Sequence, residues 1–357
     1  MYLKSIQLLN FRSYKNLDLE FRIESPLNLI IAPNGSGKSN LLETIYYLSY
    51  LRPFRSVLDS ELINKNESFF FIKGIFFKNN LSTEISVKYS KSKDISLNGK
   101  KVKKHSEIIG ILLSVLFSSD DIFIISGNPS VRRKFFDMFI SIMNKEYLIN
   151  LKKYQILLKQ KNYLLKMKNN LNLLDVYDEQ IVDVINYINY MRLKTINEIN
   201  PIFQNKFNDI GMFNDKTKII YISNLKLKEQ NSREEIFNKL KENRKKDLES
   251  GYSNFGIHRD NYLFLINGVE FSKYASLGQT RLASLVLKLT KIDYLKKITD
   301  SLPIILLDDV ILELDKERQK RFIDSIPKEN QMFITLTDRN KFIFTENKNL
   351  INEISIL

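Results

Sequence analysis

The sequence contains no cysteine, which excludes a disulfide framework and any thiolate-held metal centre. Histidine is nearly as scarce: His105 and His258 are too few to build a multi-histidine metal site on their own. No apolar run approaches the roughly 18 residues of a membrane span. The first residues read as an alternating strand, not as a charged segment followed by an apolar stretch, so no secretory leader is expected. These absences point to a soluble cytoplasmic protein. Acidic residues are outnumbered as well: 55 Lys and Arg face 41 Asp and Glu, and the net charge of +14 fits a polyanionic partner, nucleic acid first. The lysines are widely spread and come with abundant Asn and Ile, a compositional bias that weakens charge as a signal. The cluster Lys100-Lys101-Val102-Lys103-Lys104 reads equally as a solvated hairpin or as a DNA contact.

What is present begins with size. A chain of 357 residues with 43% apolar content has enough material for two domains, or for one domain with a large insertion. Its organising stretch is Ala32-Pro33-Asn34-Gly35-Ser36-Gly37-Lys38-Ser39, preceded by the apolar run Leu27–Ile31 and followed by the helical spacing of Leu41–Leu48. Strand, glycine loop and helix in this order predict a phosphate-binding P-loop. Gly35 and Gly37 permit backbone angles that turn successive N–H groups onto phosphate oxygens, and the helix adds its positive end. Lys38 would reach the β- and γ-phosphates of ATP and Ser39 would ligate Mg²⁺. Ala32 stands where the usual pattern has glycine, so a slightly altered start of the loop is expected.

Two later segments complete the pattern. Leu302–Leu307 is an apolar strand ending in Asp308 and Asp309; Asp308 would hold Mg²⁺ opposite Ser39, and Asp309 would act as general base on the attacking water. Ser276-Leu277-Gly278-Gln279 opens the helix Thr280–Leu289, where a small polar cap and a glycine favour an anion. The order P-loop, Ser-x-Gly-Gln, acidic strand and Glu313-Leu314-Asp315 matches the ABC/SMC class of ATPases. That resemblance implies that Ser276, Gly278 and Gln279 of one subunit complete the nucleotide site of another, with Asp315 in the dimer loop, giving an ATP-dependent homodimer.

Along the chain, alternating residues at 3–9 and 17–23 join 27–31 as strands, with the polar-aromatic turn Asn10-Phe11-Arg12-Ser13-Tyr14 between the first two. That turn reads either as a nucleotide contact through Arg12 or the aromatic rings, or as a capped turn with a buried Phe. Residues 69–77, 83–89 and 93–97 with the hairpin pair Asn98-Gly99 predict an appended antiparallel sheet. From about 131 to 210 the spacing is helical, broken near Asn169-Asn170 and stopped at Pro201, with Ile181, Val184, Ile188, Met191, Thr195 and Ile199 on one face. Residues 228–250 read as a charged surface helix or a linker. The expected fold is therefore an α/β ABC/SMC-type P-loop ATPase head with an appended antiparallel sheet and an inserted helical subdomain. Its parts are residues 1–125 and 250–357 for the ATPase lobe and 126–249 for the insertion.

Further motifs resemble the RecF family over essentially the whole chain: Asn10-Phe11-Arg12, Asn40-Leu41-Leu42-Glu43, Phe54-Arg55-Ser56 and Arg132-Arg133-Lys134-Phe135-Phe136-Asp137. More specific are Glu242-Asn243-Arg244, Gly251-Tyr252, Phe255-Gly256-Ile257-His258-Arg259-Asp260 and Tyr274-Ala275 before the Ser-x-Gly-Gln segment. The chain departs from that family at Ala32, at Ile257 in place of proline, and at Ser119-Asp120 in place of a proline-acid pair. The expected strand Gln331–Asp338 ends where transporters keep a histidine, so Thr337 or Asp338 would have to serve there. The resemblance implies a weak DNA-dependent ATPase whose ATP-closed dimer clamps double-stranded DNA near single-strand gaps, with RecR and RecO as partners in loading RecA. Arg132, Arg133 and Arg259 are read as DNA contacts or, equally, as partners of carboxylates. The alternative function is an ATPase of the same class that uses ATP as a structural ligand for docking a protein partner.

Overall fold

The computed structural model describes residues 1–55, 57–78, 81–168, 170–228, 231–338 and 351–355. Ser56 of the Phe54-Arg55-Ser56 motif and Asn169 of the expected helix break lie outside them. The chain forms two compact units, Met1–Asp120 with Lys291–Leu357, and Asp121–Thr290.

The first unit opens with β1 (Tyr2–Phe11), β2 (Tyr14–Glu20), β3 (Leu27–Ile31) and α1 (Lys38–Tyr50), then β4 (Phe70–Lys78), β5 (Leu81–Tyr89), β6 (Lys93–Leu97), β7 (Lys100–Lys101) and β8 (Ser114–Phe117). One sheet runs β2-β1-β4-β5-β6-β7, antiparallel throughout. Its alternating apolar side chains, Leu3, Ile72, Phe76, Ile85 and Val87 among them, fill one buried face. Asn98 and Gly99 turn β6 into β7 with φ of 50° and 75°, the two left-handed residues that a tight hairpin of this hand requires.

The second unit contains α2 (Ile122–Ser126), α3 (Pro129–Met143), α4 (Lys145–Met167), α5 (Leu173–Gly211), β9 (Thr217–Ile222), α6 (Arg233–Glu242), α7 (Arg244–Ser250), β10 (Asn261–Ile266), β11 (Val269–Glu270) and α8 (Phe271–Tyr274). The helix α9 (Leu277–Thr299) starts within it. Tyr154 and Leu157 of α4 join Ile181, Val184, Ile185 and Ile188 of α5 in one core, so the predicted apolar face is real. Pro201 does not stop the helix: α5 continues ten residues past it to Gly211. The Asn200 side chain brackets the Ile219 backbone at 2.9 and 2.7 Å, Gln204 accepts the Thr217 N–H at 2.6 Å, and Phe203, Phe207 and Ile210 are buried. Those contacts outweigh the hydrogen bond that proline removes. The charged stretch 228–250 holds two short helices instead of one; Ser232 and Glu235 form a capping box at α6, which buries Ile236 and Leu240. The expected lobe boundaries at 125 and 249 stand beside unit boundaries at Asp120 and Thr290. Residues 250–290 group with the helical unit because β10 pairs with β9 from Asn261↔Ile222 to Ile266↔Thr217.

The chain returns with β12 (Ile304–Asp308), α10 (Lys316–Asp324), β13 (Met332–Leu336) and β14 (Ile351–Ser355). These build the sheet β14-β3-β13-β12-β8, parallel at every pairing. Ile304–Leu307, Leu29, Ile30, Phe333 and Ile334 are fully buried, the continuous apolar run of a strand covered on both faces. The Gln331 side chain links this region to the antiparallel sheet by accepting the Leu3 N–H at 2.7 Å and donating to the Leu3 carbonyl at 3.0 Å. The loop after β3 and the end of β12 thus meet at the carboxyl edge of the parallel sheet, where ligands bind in open α/β folds.

Candidate functional site

Ala32 leaves β3 with its N–H on the Leu336 carbonyl and has no positive φ, so its methyl introduces no backbone strain. Gly37 is different: its φ is 100°, and an added Cβ would lie 2.7 Å from Ser13 Oγ and 3.1 Å from the Tyr14 hydroxyl. The Tyr14 O–H donates to the Gly37 carbonyl at 2.9 Å, which ties the polar-aromatic turn to the loop. Arg12 of that turn is bound inward, its Nε 2.9 Å from Glu43 Oε2 on α1. The Lys38 ammonium, almost fully buried, folds back on the carbonyls of Ala32 and Pro33 at 2.7 and 3.0 Å. Three buried polar atoms here have no partner: Ser36 Oγ, Glu43 Oε1 and Arg12 Nη2. A loop with left-handed glycines, an enclosed cation and the orphaned Ser36 hydroxyl offers donors that phosphate oxygens satisfy, whereas Glu43 Oε1, an acceptor, does not belong to that set.

Across the sheet edge, Ser39 Oγ donates to Asp308 Oδ1 at 2.7 Å. Among the described residues no three acidic or histidine side chains gather into a metal cage. The Ser39–Asp308 pair therefore fits a Mg²⁺ ion only with phosphate oxygens and water as the remaining ligands, the usual habit of that ion. Asp309 follows in a left-handed backbone, φ 53°. Burial raises its carboxyl above the ordinary carboxylate range, opposed by the Lys38 charge and reinforced by Asp308. A raised carboxyl beside two phosphate-directed groups suits a general base. Thr337, expected with Asp338 to stand in for the transporter histidine, is half-buried and Asp338 is exposed, while another hydroxyl, on β13, reaches the acidic pair. That group is Thr335, two residues earlier: its hydroxyl lies 3.2 Å from Asp308 Oδ1 and 3.4 Å from Asp309 Oδ1, and it accepts the Asp309 N–H at 3.0 Å. Which residue of β13 faces Asp308 depends on strand register, so spacing alone did not single it out.

In the second unit, Ser276 and Gln279 form a reciprocal cap: Ser276 Oγ accepts the Gln279 N–H at 3.2 Å and Gln279 Oε1 accepts the Ser276 N–H at 3.0 Å. Ser276 and Gly278 are exposed, flanked by Tyr274 and Leu277, both about two-thirds exposed. Asp315 caps α10 by accepting the Arg318 N–H at 3.0 Å. Of the basic residues, Arg132 is turned inward. It is buried, with Nε on Asn261 Oδ1 at 3.0 Å and Nη1 on the Gly127 carbonyl at 2.6 Å, so it is not a surface cation for DNA. Arg133 donates to the Asp260 carbonyl at 2.7 Å, and exposed Arg259 lies over the Tyr252 ring.

The segment Gly256–Asp260 anchors a buried ionic network. Arg192 reaches Asp260 Oδ2 at 2.6 Å and Asp137 Oδ1 at 2.8 Å; Tyr221 donates to Asp260, and Tyr147 to Asp137 at 2.5 Å. A second network joins Lys161, Asp178 and Asp247 and adds Arg244, which binds Asp175 and Asp178. The motifs at 132–137, 242–244 and 255–260 are legible in the sequence, but Arg192 and Lys161 are not, because nothing local separates them from neighbouring cations such as Lys194 and Lys159.

The parallel sheet, the P-loop, the Ser39–Asp308 pair and the capped Ser-x-Gly-Gln helix define an ABC/SMC-type P-loop ATPase head. A solved SMC head bound to the C-terminal winged-helix domain of ScpA shares this fold, with a TM-score of 0.54 at 18% identity over 95% of this chain and 90% of that one. The sequence model of the RecF/RecN/SMC N-terminal domain matches residues 2–352. The DNA replication and repair protein RecF of Clostridium tetani is 38% identical over 344 residues, covering 94% of this chain and 93% of the relative. A structure of the recombination mediator protein RecF with ATP, from the RecFOR pathway, superposes with a TM-score of 0.88 at 35% identity, covering 95% of this chain and 92% of that one. The chain belongs to the RecF family.

Proposed function

We propose that this chain is an ATP-switched DNA-binding ATPase that acts as a recombination mediator in the cytoplasm. ATP would sit on the loop Ala32–Ser39, its phosphates held by the loop N–H groups and Lys38, with Mg²⁺ between Ser39 and Asp308. The ion, when bound, supplies charge neutralisation at the β- and γ-phosphates. Asp309 positions and deprotonates the attacking water. The observation that carries the reading is the Ser39–Asp308 contact with Asp309 beside it in the first unit, together with an exposed, capped Ser276–Gln279 segment in the second. An exposed helix start, held in shape by its own Ser276–Gln279 cap, is suited to complete the site of a second copy, so two heads pair when ATP is present. The pair would pool two chains of +14 charge, enough for salt-dependent, sequence-independent attraction to double-stranded DNA near gaps. RecR and RecO, partners by family resemblance, then join it in assisting RecA loading.

The test uses two variants and sedimentation velocity. Lys38→Ala abolishes ATP binding and leaves a monomer at all ATP concentrations. Asp309→Asn binds ATP, slows hydrolysis by about 10²- to 10⁴-fold and accumulates as dimer. A monomeric Asp309→Asn protein in saturating ATP, or a dimer formed equally without nucleotide, overturns the proposal.

A further inference from the structure

Thr335 lies on β13 between the strand that delivers the P-loop and the strand that delivers Asp308; its ladder partners are Ile30 and Asp308. It is fully buried, and its hydroxyl has four polar neighbours. Three are acceptors: Asp308 Oδ1, Asp309 Oδ1 and the Leu307 carbonyl, at 3.2, 3.4 and 3.3 Å. The fourth is the Asp309 N–H, which donates to Thr335 Oγ1 at 3.0 Å. A hydroxyl has one proton and two lone pairs, so Thr335 serves one of the three acceptors at a time while holding the peptide N–H throughout. That peptide is the unusual one, because Asp309 has a φ of 53° in a region that side-chain-bearing residues occupy at a cost and keep only when their surroundings fix them. The direction of the Asp309 side chain follows from that backbone.

We propose that Thr335 is the positioning residue for Asp309: its hydroxyl fixes the left-handed Asp309 peptide and thereby aims the Asp309 carboxylate. Thr335 acts through Asp309 and touches no part of the nucleotide. The proposal rests on the reading of this site as a hydrolytic one and deepens it. Valine matches threonine in shape while removing the hydroxyl, and serine keeps the hydroxyl while removing the methyl group, so the two substitutions separate hydrogen bonding from packing.

The experiment compares the full-length chain with Thr335→Val, Thr335→Ser and Thr335→Ala. It measures affinity for a fluorescent ATP analogue, steady-state hydrolysis, and amide hydrogen exchange of the segment around 305–311 without nucleotide. Thr335→Val is expected to lower kcat by roughly tenfold to a hundredfold, the usual cost of a small misplacement of a reacting group. Its ATP affinity stays within about twofold, while exchange in that segment quickens because the Asp309 peptide has lost its acceptor. Thr335→Ser restores both, and Thr335→Ala replaces the valine variant should that one fail to fold. A valine variant with unchanged kcat and unchanged exchange overturns the proposal. So does a serine variant as impaired as valine, or a loss of ATP affinity that matches the loss of kcat. Absence of hydrolysis in the unsubstituted chain refutes the ATPase reading instead, and the exchange comparison then judges Thr335 by itself.

Discussion

Arg192 gives the sharpest stability prediction. Its guanidinium is 1% exposed and makes bonds to Asp137, Tyr147, the Ile257 carbonyl and Asp260. Removing one partner of a buried ion pair strands the other and typically costs about 3–5 kcal/mol. Here Asp260 keeps two donors, Tyr221 and the Asn224 N–H, and Asp137 is 18% exposed, so water relieves part of its charge. The lower end of the range applies, about 3 kcal/mol for Arg192→Leu. For a unit of this size that corresponds to a drop in melting temperature of about 6–12 °C, read by differential scanning calorimetry of the full chain. The triple variant Arg192→Leu/Asp137→Asn/Asp260→Asn removes the stranded charges as well and should recover more than half of the loss. A fall of less than about 2 °C in the single variant, or no recovery in the triple, would refute the reasoning.

Three further outcomes follow from particular contacts. Gly37→Ala places a methyl group against Ser13 and Tyr14 at a φ of 100°, and should weaken ATP binding by at least about tenfold while the melting temperature moves little, since the strain falls on the loop. His258 accepts from the Tyr154 hydroxyl at Nδ1 and donates from Nε2 to the Ser253 carbonyl; burial, with smaller help from Arg259, Arg133 and Lys161, lowers its pKa from 6.5 to about 4. The fold holds the neutral ring, so its contribution is complete above about pH 6.5 and is lost as pH falls toward 4, by up to about 3 kcal/mol. Urea titrations across that window should be steeper in pH for the unsubstituted chain than for His258→Gln, and parallel curves would count against this. Gln331→Leu leaves the Leu3 N–H and carbonyl unpaired in a buried position and should cost about 1–3 kcal/mol in urea unfolding, a value near zero contradicting the bridging role of that side chain.

What could be read in advance was the local geometry of short stretches. Glycines at 35 and 37 with Lys38 and Ser39, the apolar run ending in Asp308 and Asp309, the Ser276–Gln279 cap and the Asn98-Gly99 turn each carry their geometry within a few residues. What could not be read depends on distant partners. Pro201 is tolerated because Asn200, Gln204 and three buried side chains pin the helix beyond it to the rest of its unit. Residues 250–290 group with the helical unit through the pairing of β10 with β9, a contact that no local pattern announces. Arg132, legible in sequence equally as a DNA contact or a carboxylate partner, is a buried brace on an amide oxygen and on carbonyls at a preceding helix end. Thr335 has no local signal of its own: that it faces Asp308 follows from the pairing of β13 with β12, and register is a property of the assembled sheet.

The central claim is that ATP switches DNA binding through pairing of two heads. The most direct test is fluorescence anisotropy of a labelled duplex carrying a single-strand gap, titrated with the protein in ATP, in ADP and without nucleotide at one fixed salt concentration. The account predicts much tighter binding in ATP than in the other two conditions, lost in Lys38→Ala and prolonged in Asp309→Asn. Equal binding in all three conditions would contradict it, leaving a basic protein that holds DNA by charge alone.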